Sequence, residues 1–417
     1  MSTLEEEEVE RDAVAGEEEG ASAALTTPAR LGAYVRRGGV IVPILTTLIA
    51  FIAGGFVVLL TGHNPFSTYK AIFNGTGLQW IFPWVSGSAR STAAFNLQQT
   101  LIATTPLILV GLAVAFAFRA GLFNIGGQGQ YTVGGIAAVW IGSSFGGMPA
   151  VPHIILAIAG AALAGGAWAG IAGALKATLG VNEVISTIML NWVAIWGGVW
   201  LFGLGGPLQD PHQPSVPTSS PVTQSAKLPV FWGNAQLQGL HIGLFIALAA
   251  VLVFWVLLSR TRLGFEVRAV GFNPDAASYA GISVARNYFR AMAICGAFAG
   301  IAAAMDVLGW KFSLFTNDIQ ASEVGFLGIA VALLGRNTAI GTMFAALLFG
   351  ALATGTSDRY LDPSVFDPNL ASNLTWMIQG LIVLLVSTDV IALKILSSGR
   401  GISVTFRRRS KREAAGA

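Results

Sequence analysis

The sequence predicts an all-α membrane protein of about ten transmembrane helices, and three observations carry that reading. First, 54% of the 417 residues are hydrophobic and only 11% are charged, against roughly 25% charged in a soluble globular chain. Second, the apolar residues come in blocks separated by short polar stretches. Most blocks can cross a ~30 Å hydrocarbon core, which takes about 20 helical residues. Third, Lys and Arg are divided unequally between alternate polar stretches. The 51 glycines fit the same class, because small residues let membrane helices approach closely.

Spans are expected near 39–60, 97–118, 129–146, 153–175, 182–204, 241–259, 289–309, 323–335, 338–356 and 372–396. The eighth is short for a straight crossing. Gly325, Gly328 and Gly335 punctuate it, so a broken helix, or one running into its neighbour, is expected there. With the N-terminus inside, 19 of the 24 Lys and Arg residues fall in inside segments and 5 outside, so both termini are expected in the cytoplasm. Spans 2–5 and 7–10 then run in opposite senses, as an inverted repeat requires.

The expected domains follow. Residues 1–38 are an acidic, disordered cytoplasmic tail (Glu5 to Glu8, Glu17 to Glu19) with a basic end beside the membrane, and lack the pattern of a cleavable signal. Residues 39–396 form the transmembrane domain, with a long inside loop at 260–288. Residues 397–417 are a basic cytoplasmic tail. The two long outside loops are 61–96 and 205–240, the second rich in Pro, Ser and Gln.

Missing chemistry narrows the function. There is no G-x-x-x-x-G-K-[ST] loop to bind ATP, and no HExxH pattern in a membrane block. The one cysteine, Cys295, allows no disulfide within the chain, and the four histidines are not at metal-ligand spacing. No cofactor and no metal are expected. Basic residues cluster at membrane edges, so no nucleic-acid partner is expected, whereas lipid is. Carboxylates such as Glu183, Asp306, Glu323 and Asp389 lie near span ends, which weighs against proton coupling. A sodium-driven carrier using backbone carbonyls at broken helices stays open. A membrane-embedded enzyme would need acids, histidines or a nucleophile converging at one depth, and the sequence offers none.

Four segments carry more. In the inside loop, Asn273 can cap a short helix with Pro274 at its first position. Asp275, Ala276, Ala277 and Tyr279 continue it, and Gly281 stops it. Such a helix either docks a soluble partner or is an ordinary loop element. At residues 118–131, Asn124, Gln128 and Gln130 stand among Gly121, Gly126, Gly127 and Gly129. Glycine-rich backbone at membrane depth must be protein-buried or line a cavity. These amides either meet a polar uncharged solute or cap a plain turn. In span five, Asn182 caps the helix and Glu183 suits its first turn. Asn191 lies well inside, where it contacts either a solute or a neighbouring helix. Trp192, Trp196 and Trp200 follow an i, i+4, i+8 spacing, as either a packing stripe or a stacking platform for a flat ring.

Four runs in order resemble the permease subunits of bacterial ABC transporters for nucleosides and simple sugars, within a wider family that includes branched-chain amino-acid and ribose permeases. They are Gly121-Leu-Phe-Asn-Ile-Gly-Gly-Gln-Gly-Gln, Asn182-Glu-Val-Ile-Ser-Thr-Ile-Met-Leu-Asn, Gly271-Phe-Asn-Pro-Asp-Ala-Ala-Ser-Tyr-Ala-Gly-Ile and Gly325-Phe-Leu-Gly-Ile-Ala-Val-Ala-Leu-Leu-Gly. The resemblance implies a type II importer-like bundle in the bacterial cell membrane. It makes 260–288 the loop that holds a coupling helix against a cytosolic ABC ATPase. It further implies a second permease subunit, often a related chain, an extracytoplasmic solute-binding protein, and a small-molecule solute, a nucleoside first and ribose or another simple sugar second. Asn124, Gln128, Gln130, Asn191 and Trp196 are the candidate pathway residues, and no residue is expected to be catalytic. Gln128 departs from the resemblance, standing where many relatives are expected to carry Glu.

Overall fold

The computed structural model describes residues 41–234, 239–357 and 367–387. The expected tails, 1–38 and 397–417, and the end of the tenth span lie outside the described residues. The chain divides into two compact units. In the smaller one, the described residues are the first half of α1 (Ile41–Leu60) and the last turn of α14 (Pro368–Ser387). The larger one, Phe51–Val383, holds everything that follows.

Its elements run α2 (Pro65–Thr76), α3 (Gly87–Arg119), α4 (Gly127–Ser144), α5 (Ala150–Leu179), α6 (Glu183–Phe202), β1 (Val230–Trp232), β2 (Leu240–His241), α7 (Gly243–Arg260), α8 (Arg262–Phe272), α9 (Pro274–Tyr279), α10 (Val284–Asp306), α11 (Thr316–Ala321), α12 (Val324–Leu334) and α13 (Ala339–Gly355). A π-turn at Val307–Lys311 extends α10. Among the described residues, six helices are long and apolar enough to cross a membrane: α1, α3, α5, α6, α7 and α10 with its π-turn. Helices α13 and α14 are apolar but shorter. The third and eighth expected spans are α4 and α12. Helix α12 has only 11 residues, about 16 Å of helix at 1.5 Å per residue.

Helix α3 is the axis of the larger unit. Its 33 residues reach about 50 Å, and from Leu107 to Ala117 every residue is buried. It begins at Gly87, ten residues before the expected span, because its first turns are polar and hydropathy does not register them. Those turns hold α2 instead. Asn96 Nδ2 donates to Asn74 O at 3.3 Å and Thr100 Oγ1 to Thr76 O at 2.8 Å, tying the last turn of α2 to α3.

The most extensive helix pair is α5 against α10. Gly296 and Gly300, one turn apart, face Ala161 and Gly165. A Cβ on Gly296 would sit 2.1 Å from Gly165 O, and one on Gly300 2.0 Å from Ala161 O. Backbones this close form only where small residues repeat at four-residue spacing.

The loop at 205–240, read from sequence only as long and polar, is ordered over its described part. Ser219 N donates to Leu314 O at 2.9 Å, Val222 N to Phe312 O at 2.7 Å, and Leu228 N to Leu308 O at 2.9 Å. The loop therefore lies along the chain that follows α10. Single-strand pairing of this kind leaves no periodicity for a sequence reading to find.

Candidate functional site

Helices α4 and α12 start inside the protein, not at its edge. A Cβ on Gly127, at the start of α4, would lie 3.6 Å from Val110 Cγ1, and one on Gly328 in α12 would lie 2.4 Å from the same atom. Val110 lies nine residues before the end of α3, about 13 Å along its axis. Two helix N-termini thus meet deep beside one residue of the central helix.

A helix start leaves backbone N–H groups without intrahelical partners, and in a dry interior each must be satisfied by something else. Here side-chain amides from other elements do it. Asn191 of α6 accepts from Gly129 N at 2.7 Å through Oδ1, and its Nδ2 donates to Ile125 O at 3.0 Å. Gln128 of α4 accepts from Gly325 N, near the start of α12, at 2.9 Å. Asn124 and Gln130 pair with each other, Nδ2 to Oε1 at 3.2 Å and Nε2 to Oδ1 at 3.0 Å, and Asn124 Oδ1 also accepts from Gly126 N at 2.9 Å. All four amide side chains are buried. Gln128 Nε2 has no hydrogen-bond partner among the described residues.

The glycines make this contact geometrically possible. A Cβ on Gly325 would lie 2.2 Å from both N and Cα of Gln128, and one on Gly129 2.9 Å from Asn191 Oδ1. The structure therefore brings Asn124, Gln128, Gln130 and Asn191 into one junction and adds Gly325, a partner that sequence reading placed only in a punctuated span. Trp196 is not part of it. It stands 57% exposed on α6, with Trp192 and Trp200 similarly exposed, while Asn191 is 2% exposed.

The loop at 260–288 is more helical than expected. Besides α9 it contains α8, with Thr261 capping it at Gly264 N. Asn273 Oδ1 accepts from Ala276 N at 3.0 Å, Pro274 takes the first helical position, and Gly281 adopts φ +79°. Ala277 is buried, whereas Phe272 and Tyr279 are 89% and 94% exposed. A cleft of about 430 Å³ separates α8 from α9, lined by Phe265, Glu266, Ala269, Phe272 and Ile282 among others.

The loop and the junction touch through a second glycine pair. A Cβ on Gly271, in the last turn of α8, would lie 2.3 Å from Arg119 O, and one on Gly121 (φ +73°) 3.1 Å from Gly271 Cα. Only residues 122–126 separate Gly121 from α4. A sequence signal existed, since Gly121 and Gly271 each stand beside a helix boundary, but spacing cannot show that they face each other.

Sequence reading also missed an ion pair. Lys311 Nζ lies 2.8 Å from Asp306 Oδ2, and Tyr131 of α4 donates to the same oxygen. A charge pair with a phenol satisfies itself in a poorly hydrated place, so it holds α4 to the end of α10. On the neighbouring strand β2, His241 Nδ1 accepts from Gly243 N at 3.1 Å. Burial pushes this imidazole down to about 4, against the pull of Asp306.

Residues 96–387 match the family described as branched-chain amino acid transport system / permease component. The guanosine ABC transporter permease protein NupP of Bacillus subtilis (strain 168) is 39% identical over 356 residues, covering 85% of this chain and 94% of that protein. The nucleoside ABC transporter permease protein NupB of Lactococcus lactis subsp. cremoris is 32% identical over 378 residues, covering 90% and 98%. The glucose ABC transporter permease protein TsgB13 of Haloferax volcanii is 34% identical over 354 residues, covering 83% and 87%. No solved structure matches the chain.

Proposed function

The chain belongs to the branched-chain amino acid transport system permease component family, multi-pass proteins of the cell membrane, and from that premise we propose that it carries a nucleoside inward, driven by ATP hydrolysed on a partner subunit. The observation that carries the solute is the 39% identity to a guanosine permease along 94% of that protein's length. The side chains at the α4–α12 junction are polar and uncharged, which suits a solute that has hydrogen-bonding groups and no charge.

The proposed assembly joins this chain to a second, related permease subunit, to cytosolic ABC ATPase subunits and to an extracytoplasmic solute-binding protein. Ten spans, both termini inside, and an inverted repeat of spans 2–5 and 7–10 complete the arrangement. The bias of Lys and Arg supports the orientation. The head-to-head meeting of α4 and α12, the second helix of each repeat, supports the inversion.

Coupling runs through α9. Its exposed Tyr279, with Phe272 at the end of α8, supplies aromatic surface for the ATPase to grip. Movement of α9 displaces α8. Because Gly271 and Gly121 touch backbone to backbone, that displacement reaches the segment leading into α4. From there Asn191 and Gln128 transmit it to α6 and α12. Two arrangements of this junction, one open outward and one inward, would be the two states that ATP binding and hydrolysis select between.

Uptake of labelled guanosine and ribose, in cells lacking the chain and in restored cells, tests the reading. Restored guanosine uptake is expected to survive collapse of ion gradients and to fail when ATP is depleted. A second reading, a simple-sugar permease, is favoured by the 34% identity to a glucose permease. Restoration of sugar uptake alone would select it. Uptake that follows an ion gradient would make the chain a secondary carrier and remove the role given to α9.

A further inference from the structure

An apolar cleft of about 730 Å³ opens between the second half of α1, α2 and the end of α13. It lies away from the amide junction and from α8 and α9, and the transport reading makes no use of it. Its lining includes Phe51, Phe56, Phe66, Phe73, Leu348 and Leu352, and its size is that of sites for small molecules, about 300–1,000 Å³. The lining rules out a nucleoside or sugar, whose polar groups would lose their hydrogen bonds there.

One cation stands on this cleft. Lys70 lines it and is exposed, and no carboxylate among the described residues forms an ion pair with it. Phe66 and Phe73 share the lining with it, and further aromatic rings extend from Phe73. Phe73 lies 6.3 Å from Phe82, Phe82 stacks on Trp84 at 4.7 Å, and Phe66 and Trp84 are largely exposed. Exposed aromatic rings beside an apolar helix mark the level of lipid headgroups. Tyr69 donates to Phe51 O, which fixes α2 against α1 and keeps the cleft open between them.

We propose that this cleft holds one anionic phospholipid, its acyl chain among the phenylalanines and its phosphate on Lys70. The charge complementarity decides the occupant. A protein partner seated here would bury the ammonium group and need to supply a carboxylate, since an unpaired buried charge is costly. A zwitterionic lipid brings its own cation and gains less from Lys70 than an anionic one does. The proposal depends on the membrane placement of the chain and not on its solute.

The test uses the chain purified in mild detergent with whatever subunits accompany it, then exchanged into nanodiscs of equal phosphatidylglycerol and phosphatidylcholine. Native mass spectrometry after a delipidating wash counts the retained lipids. One phosphatidylglycerol is expected, preferred about fivefold over phosphatidylcholine, the effect of one Lys at an anionic surface. Lys70→Gln is expected to abolish the preference and Lys70→Arg to keep it. Ile52→Trp, which fills the cleft from its exposed side, is expected to expel lipid of either class. An unchanged preference in Lys70→Gln, no preference in the unaltered protein, or photo-crosslinks from position 66 to a protein subunit instead of lipid would overturn the proposal. If Ile52→Trp does not fold, the two Lys70 variants, on an exposed side chain, still decide it.

Discussion

The carboxamide oxygen of Gln128 accepts a hydrogen bond from the backbone N–H of Gly325 at 2.9 Å, across 197 residues of sequence. One side chain on the first turn of α4 thereby caps the first turn of α12, while Asn191 of α6 caps α4. The two helices can begin inside the bundle because neutral amides from other elements replace the water that a surface helix would use.

Gly325 is expected to be intolerant of any side chain. Its Cβ would lie 2.2 Å from backbone atoms of Gln128, which cannot swing aside. Gly325→Ala should destabilise the protein by about 1–3 kcal/mol, as overpacking does. Thermal unfolding in detergent measures this. An unchanged midpoint would mean that α4 and α12 are not in contact.

Asn191→Leu removes the acceptor from Gly129 N–H and the donor from Ile125 C=O in one step. Two buried backbone groups then lack partners, each costing about 1–3 kcal/mol. Trp196→Leu, on the same helix and exposed, is expected to leave the unfolding midpoint nearly in place. Equal losses in the two variants would contradict the capping role of Asn191.

Changes in α9 should separate transport from folding. Asn273→Ala loses the cap on Ala276 N–H, worth about 1 kcal/mol of local helix stability. Tyr279→Glu places a charge where the side chain is 94% exposed. Both proteins are expected to reach the membrane with normal unfolding midpoints. Tyr279→Glu is expected to lose uptake and to release the ATPase on affinity purification. Full uptake in Tyr279→Glu would show that α9 does not dock the ATPase.

His241 gives the protein a pH dependence with a definite sign. Its folded value is depressed to about 4 from an ordinary 6.5, mainly by burial. Between those values the unfolded chain binds the extra proton, so this group's contribution to stability is present above pH 6.5 and is lost as pH falls toward 4. The unfolding midpoint of the unaltered protein should therefore drop further over that window than that of His241→Gln. Parallel curves would exclude this residue as the cause.

Much of this arrangement was legible in the sequence, and the limits have physical reasons. Long apolar blocks identified α1, α3, α5, α6, α7 and α10, since a bilayer demands length and hydrophobicity that a soluble chain lacks. Local capping was equally readable. Asn182 accepts from Val184 N at 2.9 Å and Asn273 from Ala276 N, because a cap is a contact between near neighbours. The glycine-rich run before α4 pointed to buried irregular backbone, but either a solute or a turn could explain it. What decided its geometry was Gly325, Asn191 and Gly271, all distant in the chain. The start of α3 and all of α2 were missed because their burial comes from one packing on the other through polar groups such as Asn96 and Thr100. The Lys311–Asp306 pair escaped notice for the same reason, as two charges near a span end look like a solvated edge until Tyr131 closes over them.

The most direct test of the central claim is transport by purified components. The chain would be reconstituted in proteoliposomes with the proposed second permease and ATPase subunits and supplied with the proposed solute-binding protein outside and ATP within. Labelled guanosine is expected to accumulate against its gradient only with ATP present, and guanosine with its binding protein should raise ATP hydrolysis. Accumulation driven by a sodium or proton gradient without ATP would contradict the account.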